Sequence, residues 1–477
     1  MNMDAQMRTS SADHNDWSQR RLMKNVLVAS LAFLFLFTAF QALSNLQSSI
    51  NCDDGLGLAS LSTIYVSLIL SSMFLPSIVI RILGLKWTLV ASMSCYTLYS
   101  VANFWPGWGT LIPASALVGF SAAPLWSAKC TYLTTSGIKY GKLGGESIDA
   151  VVNRFFGIFF LMFQSAQIWG NLISSLVLQQ GPDNDFRNDG TQICGVNDCP
   201  DTEGSNITDC GDDIEDKLVN TLMGIYTGCG LLAIFLIVVF LDPMEPSQQT
   251  LEGGKCDLFM ATLRLLKDKR LLFLIPITIY SGLEQAFIAG DFTKSFVTCS
   301  RGVGWVGYVM ICYGVTDSVS SLLSGRVAKY TGRIPIFVSG AIAQAVIIIV
   351  FFTWVPEHED LAFLFVVAAV WGFGDAIWQT QINAIYGVYF NDRQEAAFSN
   401  YRLWESVGFA ASFAYSNFLC VSTKLAILVS FLAIGITSYL FIEIKESRKE
   451  LYIPTTPTKN DPVGIDGAVF SISSKEQ

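Results

Sequence analysis

Two ingredients of enzyme chemistry are scarce in this 477-residue chain. It has only two histidines, His14 and His358. His14 falls in the polar tail and His358 in the acidic stretch Glu357-His-Glu-Asp360 of an outer connector, and no nucleophile paired with a base is evident. Charge is scarce too. Charged residues make up 14% against 52% hydrophobic, outside the usual balance of soluble domains. A net charge of −9 with no basic stripe argues against a nucleic-acid partner. No cleavable leader is expected, since the first 24 residues are polar and the apolar run that follows is long. With Met1-Asn2 at one end and Ser474-Lys-Glu-Gln477 at the other, neither N-myristoylation nor prenylation is expected. Gly302-Val-Gly304-Trp-Val-Gly307 has dinucleotide-fingerprint spacing but opens an apolar run with no strand before it, so it reads as close helix packing. Gly141-Lys142 lacks the remainder of a phosphate loop. The expectation is a non-enzyme without a cofactor.

What the chain has in abundance is long apolar runs. About twelve begin near Val26, Leu58, Trp87, Thr110, Val151, Leu218, Leu271, Val303, Ile334, Leu361, Phe398 and Leu425. Each holds roughly 18–25 residues, enough at ~1.5 Å rise to cross a ~30 Å hydrocarbon core. In lipid each backbone polar group must be satisfied within its own segment, so such runs are helices. The fold class expected is an all-α integral membrane protein of twelve transmembrane helices.

Charge placement sets an orientation. With the N-terminus in the cytosol, 22 basic residues fall on inner connectors and tails and 5 on outer ones. The remaining three, Lys129, Arg154 and Arg402, are assigned to helix ends. Both termini are therefore expected inside.

The connector from Gln179 to Lys217 is the largest outer segment and carries eleven acidic residues. It holds the glycosylation sequon Asn206-Ile207-Thr208 and three cysteines, Cys194, Cys199 and Cys210. Cys52, Cys299 and Cys420 also fall on the outer side. Cysteines gathered on the oxidising face read as disulfides. Three in one loop is odd, so at least one is expected to pair elsewhere. A Cys194–Cys199 bond would close a small loop, and Cys52, Cys299 or Cys420 could reach the others. A zinc site is disfavoured, with no nearby His and no C-x-x-C pair.

The chain divides into a cytosolic tail (1–25), a first six-helix half (26–241, with the glycosylated loop 179–217), a cytosolic linker (242–270), a second six-helix half (271–443) and a disordered cytosolic tail (444–477). The halves show weak internal similarity. Arg81-Ile-Leu-Gly84-Leu-Lys86 follows the second run, and Gly325-Arg-Val-Ala-Lys329-Tyr-Thr-Gly332-Arg333 follows the eighth. Arg81 and Gly84 register with Lys329 and Gly332 at one offset. The two loops resemble degenerate copies of the G-x-x-x-D-R/K-x-G-R/K loop of the major facilitator superfamily. The acidic member is absent from both.

A closer resemblance runs through nearly the whole membrane region. Ala123-Pro-Leu-Trp-Ser-Ala-Lys-Cys-Thr-Tyr-Leu133, Gly157-Ile-Phe-Phe-Leu161 and Trp169-Gly-Asn-Leu-Ile-Ser-Ser175 are similar to the unc-93 family. So are Tyr308-Val-Met-Ile-Cys312, Trp378-Gln-Thr-Gln381 and Asn400-Tyr-Arg-Leu-Trp-Glu405, and the Cys194-x4-Cys199 pair fits as well. The resemblance implies a facilitator-like fold of two six-helix halves at the plasma membrane. It implies accessory roles, such as regulation of a potassium channel or escort of another membrane receptor. Two function classes stay open: a non-enzymatic accessory protein, and a secondary transporter of a small solute.

Polar residues inside apolar runs are costly and usually face the bundle interior or a partner. Glu284 in the seventh run, Asp317 in the eighth and Asp375 in the tenth are the leads. Facilitator-like folds put helices 1, 4, 7 and 10 around a central cavity. Gln41, Asn45, Glu284 and Asp375 are then candidates to line it, with Trp126, Trp378 and Gln379 as amphipathic walls. Arg81, Arg402 and Glu405 are candidates for a latch at the cytosolic face.

Overall fold

The computed structural model describes residues 17–51, 53–146, 148–179, 194–200, 216–244, 263–357, 359–390 and 394–451. Among them the chain makes twelve helical crossings. Gln19–Ile50 is the first, and the continuous run Leu56–Ala102 supplies the second and third. Trp108–Gly144, Ile148–Leu178 and Asp216–Phe240 are the fourth to sixth. The seventh is Lys269–Ala286, continued through a π-helix, Phe287–Thr298. Gly304–Thr331 and Arg333–Thr353 are the eighth and ninth. The tenth is Leu361–Ile377, continued by a π-helix, Trp378–Ile382, and by Asn383–Tyr389. Gln394–Ser416 and Val421–Leu451 complete the set. Ten of these stretches are long and apolar enough to span a bilayer. The two outside that group are the shorter Leu56–Ser72 and the eleventh crossing, which carries Arg402 and Glu405.

Helix starts follow local chemistry. Ser18 Oγ caps the first crossing by accepting from the Arg21 N–H at 3.2 Å, and Asp268 Oδ1 caps the seventh by accepting from Arg270 N–H at 2.9 Å. The repeat seen in the sequence is present in the backbone. Gly84 breaks the second crossing from the third at φ 72°, ψ 171°, and Gly332 breaks the eighth from the ninth at φ 78°, ψ 179°. A Cβ at either would meet nothing within 4 Å, so conformation and not space requires glycine.

Packing obeys the same symmetry. The first crossing packs on the fifth and sixth, and the seventh packs on the eleventh and twelfth. Between the halves, the second meets the eleventh and the fifth meets the eighth, each the image of the other. Glycines set the closest approaches. A Cβ at Gly282 would collide with the Glu405 carbonyl, and one at Gly307 with the Asn171 carbonyl.

Two ends of the bundle can be told apart. One carries the basic connectors, and there Arg21 Nε and Lys24 Nζ each lie 2.9 Å from Asp242 Oδ2. Tyr132 OH donates to the Asp242 carbonyl at 2.8 Å. Hydrogen bonding to the Arg21 guanidinium, with Lys24 beside it, holds the Asp242 carboxyl well below the usual carboxylate range. The other end carries cystines. Cys194 is bonded to Cys299 and Cys199 to Cys420. Cys194 and Cys199 therefore do not pair with each other: the segment lies across the second half, where Val421 N–H donates to the Asp198 carbonyl at 3.0 Å and Ser295 Oγ to Asp198 Oδ2 at 2.6 Å. Cys52, Cys210 and Asn206 lie outside the described residues. Hydrogen bonds join the two halves at this end: Ser48–Thr293 at 3.3 Å, Ser49–Thr298 at 2.9 Å, Asn417 Nδ2 to Gly55 O at 3.0 Å and Ser175 Oγ to Gly304 O at 2.8 Å.

Candidate functional site

A buried polar cluster lies in the second half, around Glu284 and Asp375. Both side chains are buried, at 0% and 3% exposure. Glu284 Oε2 accepts from Trp371 Nε1 at 2.6 Å and from Gln344 Nε2 at 3.0 Å. Gln344 Oε1 in turn accepts from Trp378 Nε1 at 2.7 Å and from the Tyr280 hydroxyl. Asp375 Oδ2 accepts from the Tyr313 hydroxyl. The cluster thus draws on the seventh, eighth, ninth and tenth crossings. The tenth comes close through glycine: a Cβ at Gly372 would strike the Tyr313 carbonyl, and one at Gly374 the side chain of Gln344. Each carboxyl also stands three residues before a π-helical stretch, Phe287–Thr298 and Trp378–Ile382. Such stretches are rare and cluster at functional sites.

A second group lies between the halves. Arg402 Cζ sits 5.7 Å from the Trp126 ring of the first half and 5.3 Å from the Tyr401 ring. Arg402 is eight residues into its helix, roughly 12 Å at ~1.5 Å per residue, yet its side chain is 49% exposed. Arg402 Nη1 pairs with Glu405 Oε2 at 2.7 Å, and Glu405 Oε1 accepts from Tyr401 OH at 2.7 Å and from Gln379 Nε2 at 3.3 Å. Gln379 Nε2 also reaches Ser281 Oγ at 3.3 Å. Gln164 Nε2 of the fifth crossing donates to Asp317 Oδ2 of the eighth at 3.2 Å, a further bridge between halves.

Lys129 adds a buried cation on the first-half side. It is 2% exposed and has no carboxylate partner among the described residues. Its ammonium lies over Phe159 at 4.2 Å, Trp126 at 4.7 Å, Phe160 at 5.0 Å and Phe156 at 5.5 Å. Cation–π contact of this kind is worth on the order of 2 kcal/mol when desolvated. Lys129 and Arg402 thus share the Trp126 indole across the division between halves.

The sequence-based candidates separate into three sets. Glu284 and Asp375 come together, and Trp378 joins them as a fully buried support rather than an exposed wall. Trp126 and Gln379 meet the Arg402–Glu405 pair at the boundary between halves. Gln41 is half-buried with its Oε1 unpartnered, whereas Asn45 is buried and donates to Asn171 Oδ1 at 3.1 Å, a packing contact within the first half. Of the three latch candidates, Arg402 and Glu405 pair with each other at 2.7 Å. They lie eight and eleven residues into the helix Gln394–Ser416, and Arg81 is exposed on the second crossing. Lys129 and Arg402 are likewise well inside their helices and not at the ends. Asp291 and Lys424 were not among the candidates, yet they form a buried pair at 2.6 Å. Gln344, Tyr313 and Gln164 were also missed.

The family model described as "Ion channel regulatory protein UNC-93" matches residues 48–440. The chain belongs to the UNC-93 family. Among relatives, protein unc-93 homolog A of Xenopus laevis is 53% identical over 89% of this chain and 94% of its own length, and the human protein of that name is 46% identical over 90% and 95%. The Caenorhabditis elegans protein named "Putative potassium channel regulatory protein unc-93" is 36% identical over 89% of this chain and 61% of its own length. Solved structures with the same fold include the nucleoside transporter NupG, with a TM-score of 0.58 at 13% identity over 87% of this chain and 98% of that one. The xylose transporter XylE from E. coli, partially occluded and inward open, gives a TM-score of 0.56 at 13% identity over 92% and 100%. This UNC-93 family member is therefore a multi-pass membrane protein with the transporter fold of the major facilitator superfamily.

Proposed function

We propose that this chain is a plasma-membrane protein that regulates a membrane partner such as a potassium channel, performs no enzymatic chemistry and keeps both termini in the cytosol. Family membership and the 36% identity to the nematode regulator support the role. The structural observation that carries it is the sealed cystine end. A connector of the first half is bonded through Cys194 and Cys199 to two points of the second, above direct hydrogen bonds between halves. A bundle closed in this way suits a scaffold that presents one fixed surface. The charge asymmetry of the connectors supports the cytosolic assignment of the basic end, and with it the division into halves 26–241 and 271–443 joined by the linker 242–270.

One observation favours a second reading, secondary transport of a small solute: half-exposed Arg402 of the second half stands against the Trp126 ring of the first. Proximity labelling in a native epithelium tests the first reading. A potassium channel recurring among the labelled proteins is expected; a labelled set without any channel or receptor would count against it.

A further inference from the structure

We propose that Glu284 and Asp375 form a proton-binding site in which one proton is held between the two carboxyl groups. The two buried carboxyl groups are close enough to interact directly. Each has one oxygen satisfied by neutral donors, Trp371 and Gln344 on Glu284 Oε2 and Tyr313 on Asp375 Oδ2. The other two oxygens, Glu284 Oε1 and Asp375 Oδ1, are buried with no protein partner. An orphaned buried oxygen on each of two interacting carboxyls is what a missing hydrogen leaves behind. One proton turns the contact into an O–H···O⁻ bond and satisfies both atoms at once.

Charge gives the same answer. Two interacting carboxylates cannot both stay ionised away from water without a counter-charge. The groups facing the pair supply none: Tyr280 from the seventh crossing, Tyr313 and Asp317 from the eighth, Gln344 from the ninth, Trp371 from the tenth and Glu405 from the eleventh. Arg402 is taken up by Glu405, and Lys424 by Asp291. A metal ion is a poor fit, because hard cations take about six or more oxygens and only two are free here. Among the described residues no group of three His, Cys, Asp or Glu side chains is arranged to hold one.

Infrared spectroscopy of the purified full chain in lipid nanodiscs tests the site through the C=O stretch of a buried protonated carboxyl. The wild type is expected to show this band at neutral pH. Glu284→Gln and Asp375→Asn are each expected to remove it while circular dichroism is retained, because the new amide N–H replaces the shared proton. Asp317→Asn is expected to leave the band in place. No band in the wild type would overturn the proposal, as would a band that survives both pair variants or one that is lost only in Asp317→Asn.

Discussion

Lys424 Nζ and Asp291 Oδ1 form a 2.6 Å ion pair with both side chains at most 5% exposed. Ser416 Oγ bonds to the same Asp291 oxygen and accepts from Lys424 at 3.2 Å. The pair ties the twelfth crossing to the π-helical part of the seventh, close to both cystines. Removing one partner leaves a buried charge alone, which costs about 3–5 kcal/mol. Lys424→Met and Asp291→Ala should each lower the melting temperature sharply in thermal unfolding, and the double variant should recover much of the loss. Additive losses in the double variant would count against the pairing.

The basic end offers a pH test. Asp242 is held below the usual carboxylate range by Arg21 first and then Lys24. A depressed folded-state value adds stability that is fully present above the unfolded value of about 3.9 and is lost as pH falls below it. Asp242→Asn should therefore melt below the wild type at pH 7, and the gap should close as pH drops below about 4. A gap that widens in acid would contradict the assignment.

Cystine connectivity can be read by non-reducing peptide mapping. Cys194–Cys299 and Cys199–Cys420 cross-links are expected, and Cys299→Ser should free the Cys194 thiol alone. A Cys194–Cys199 peptide would refute this arrangement.

The orientation predicts that Asn206 is outside. Glycosidase should lower the apparent mass of surface protein, and Asn206→Gln should abolish that shift. A cytosolic reporter signal from the 179–217 loop would reverse the map.

The membrane fold was legible because lipid leaves helices as the only way to satisfy the backbone of an apolar run. Gly84 and Gly332 were legible as a repeat, since both need the same positive-φ backbone. Glu284 and Asp375 stood out as acids within apolar sequence. Their supports Gln344, Tyr313 and Trp371 did not, because they come from other helices, and sequence spacing does not report which helices touch. Lys129 and Arg402 were misplaced for a related reason. Hydropathy ends a run at a charge, whereas here each charge is accommodated within the bundle by rings or a carboxylate. Cystine pairing was out of reach because spacing does not say which helix ends a loop lies across.

The central claim, regulation of a membrane partner rather than solute transport, is tested most directly by recording potassium currents and solute uptake side by side at matched surface levels. Co-expression of the wild-type chain should change the current of the partner channel with no saturable uptake, and Glu284→Gln, which preserves the packing of the cluster, should leave that change in place. Saturable uptake in the wild type, lost in both Glu284→Gln and Asp375→Asn with channel currents unaltered, would contradict the account.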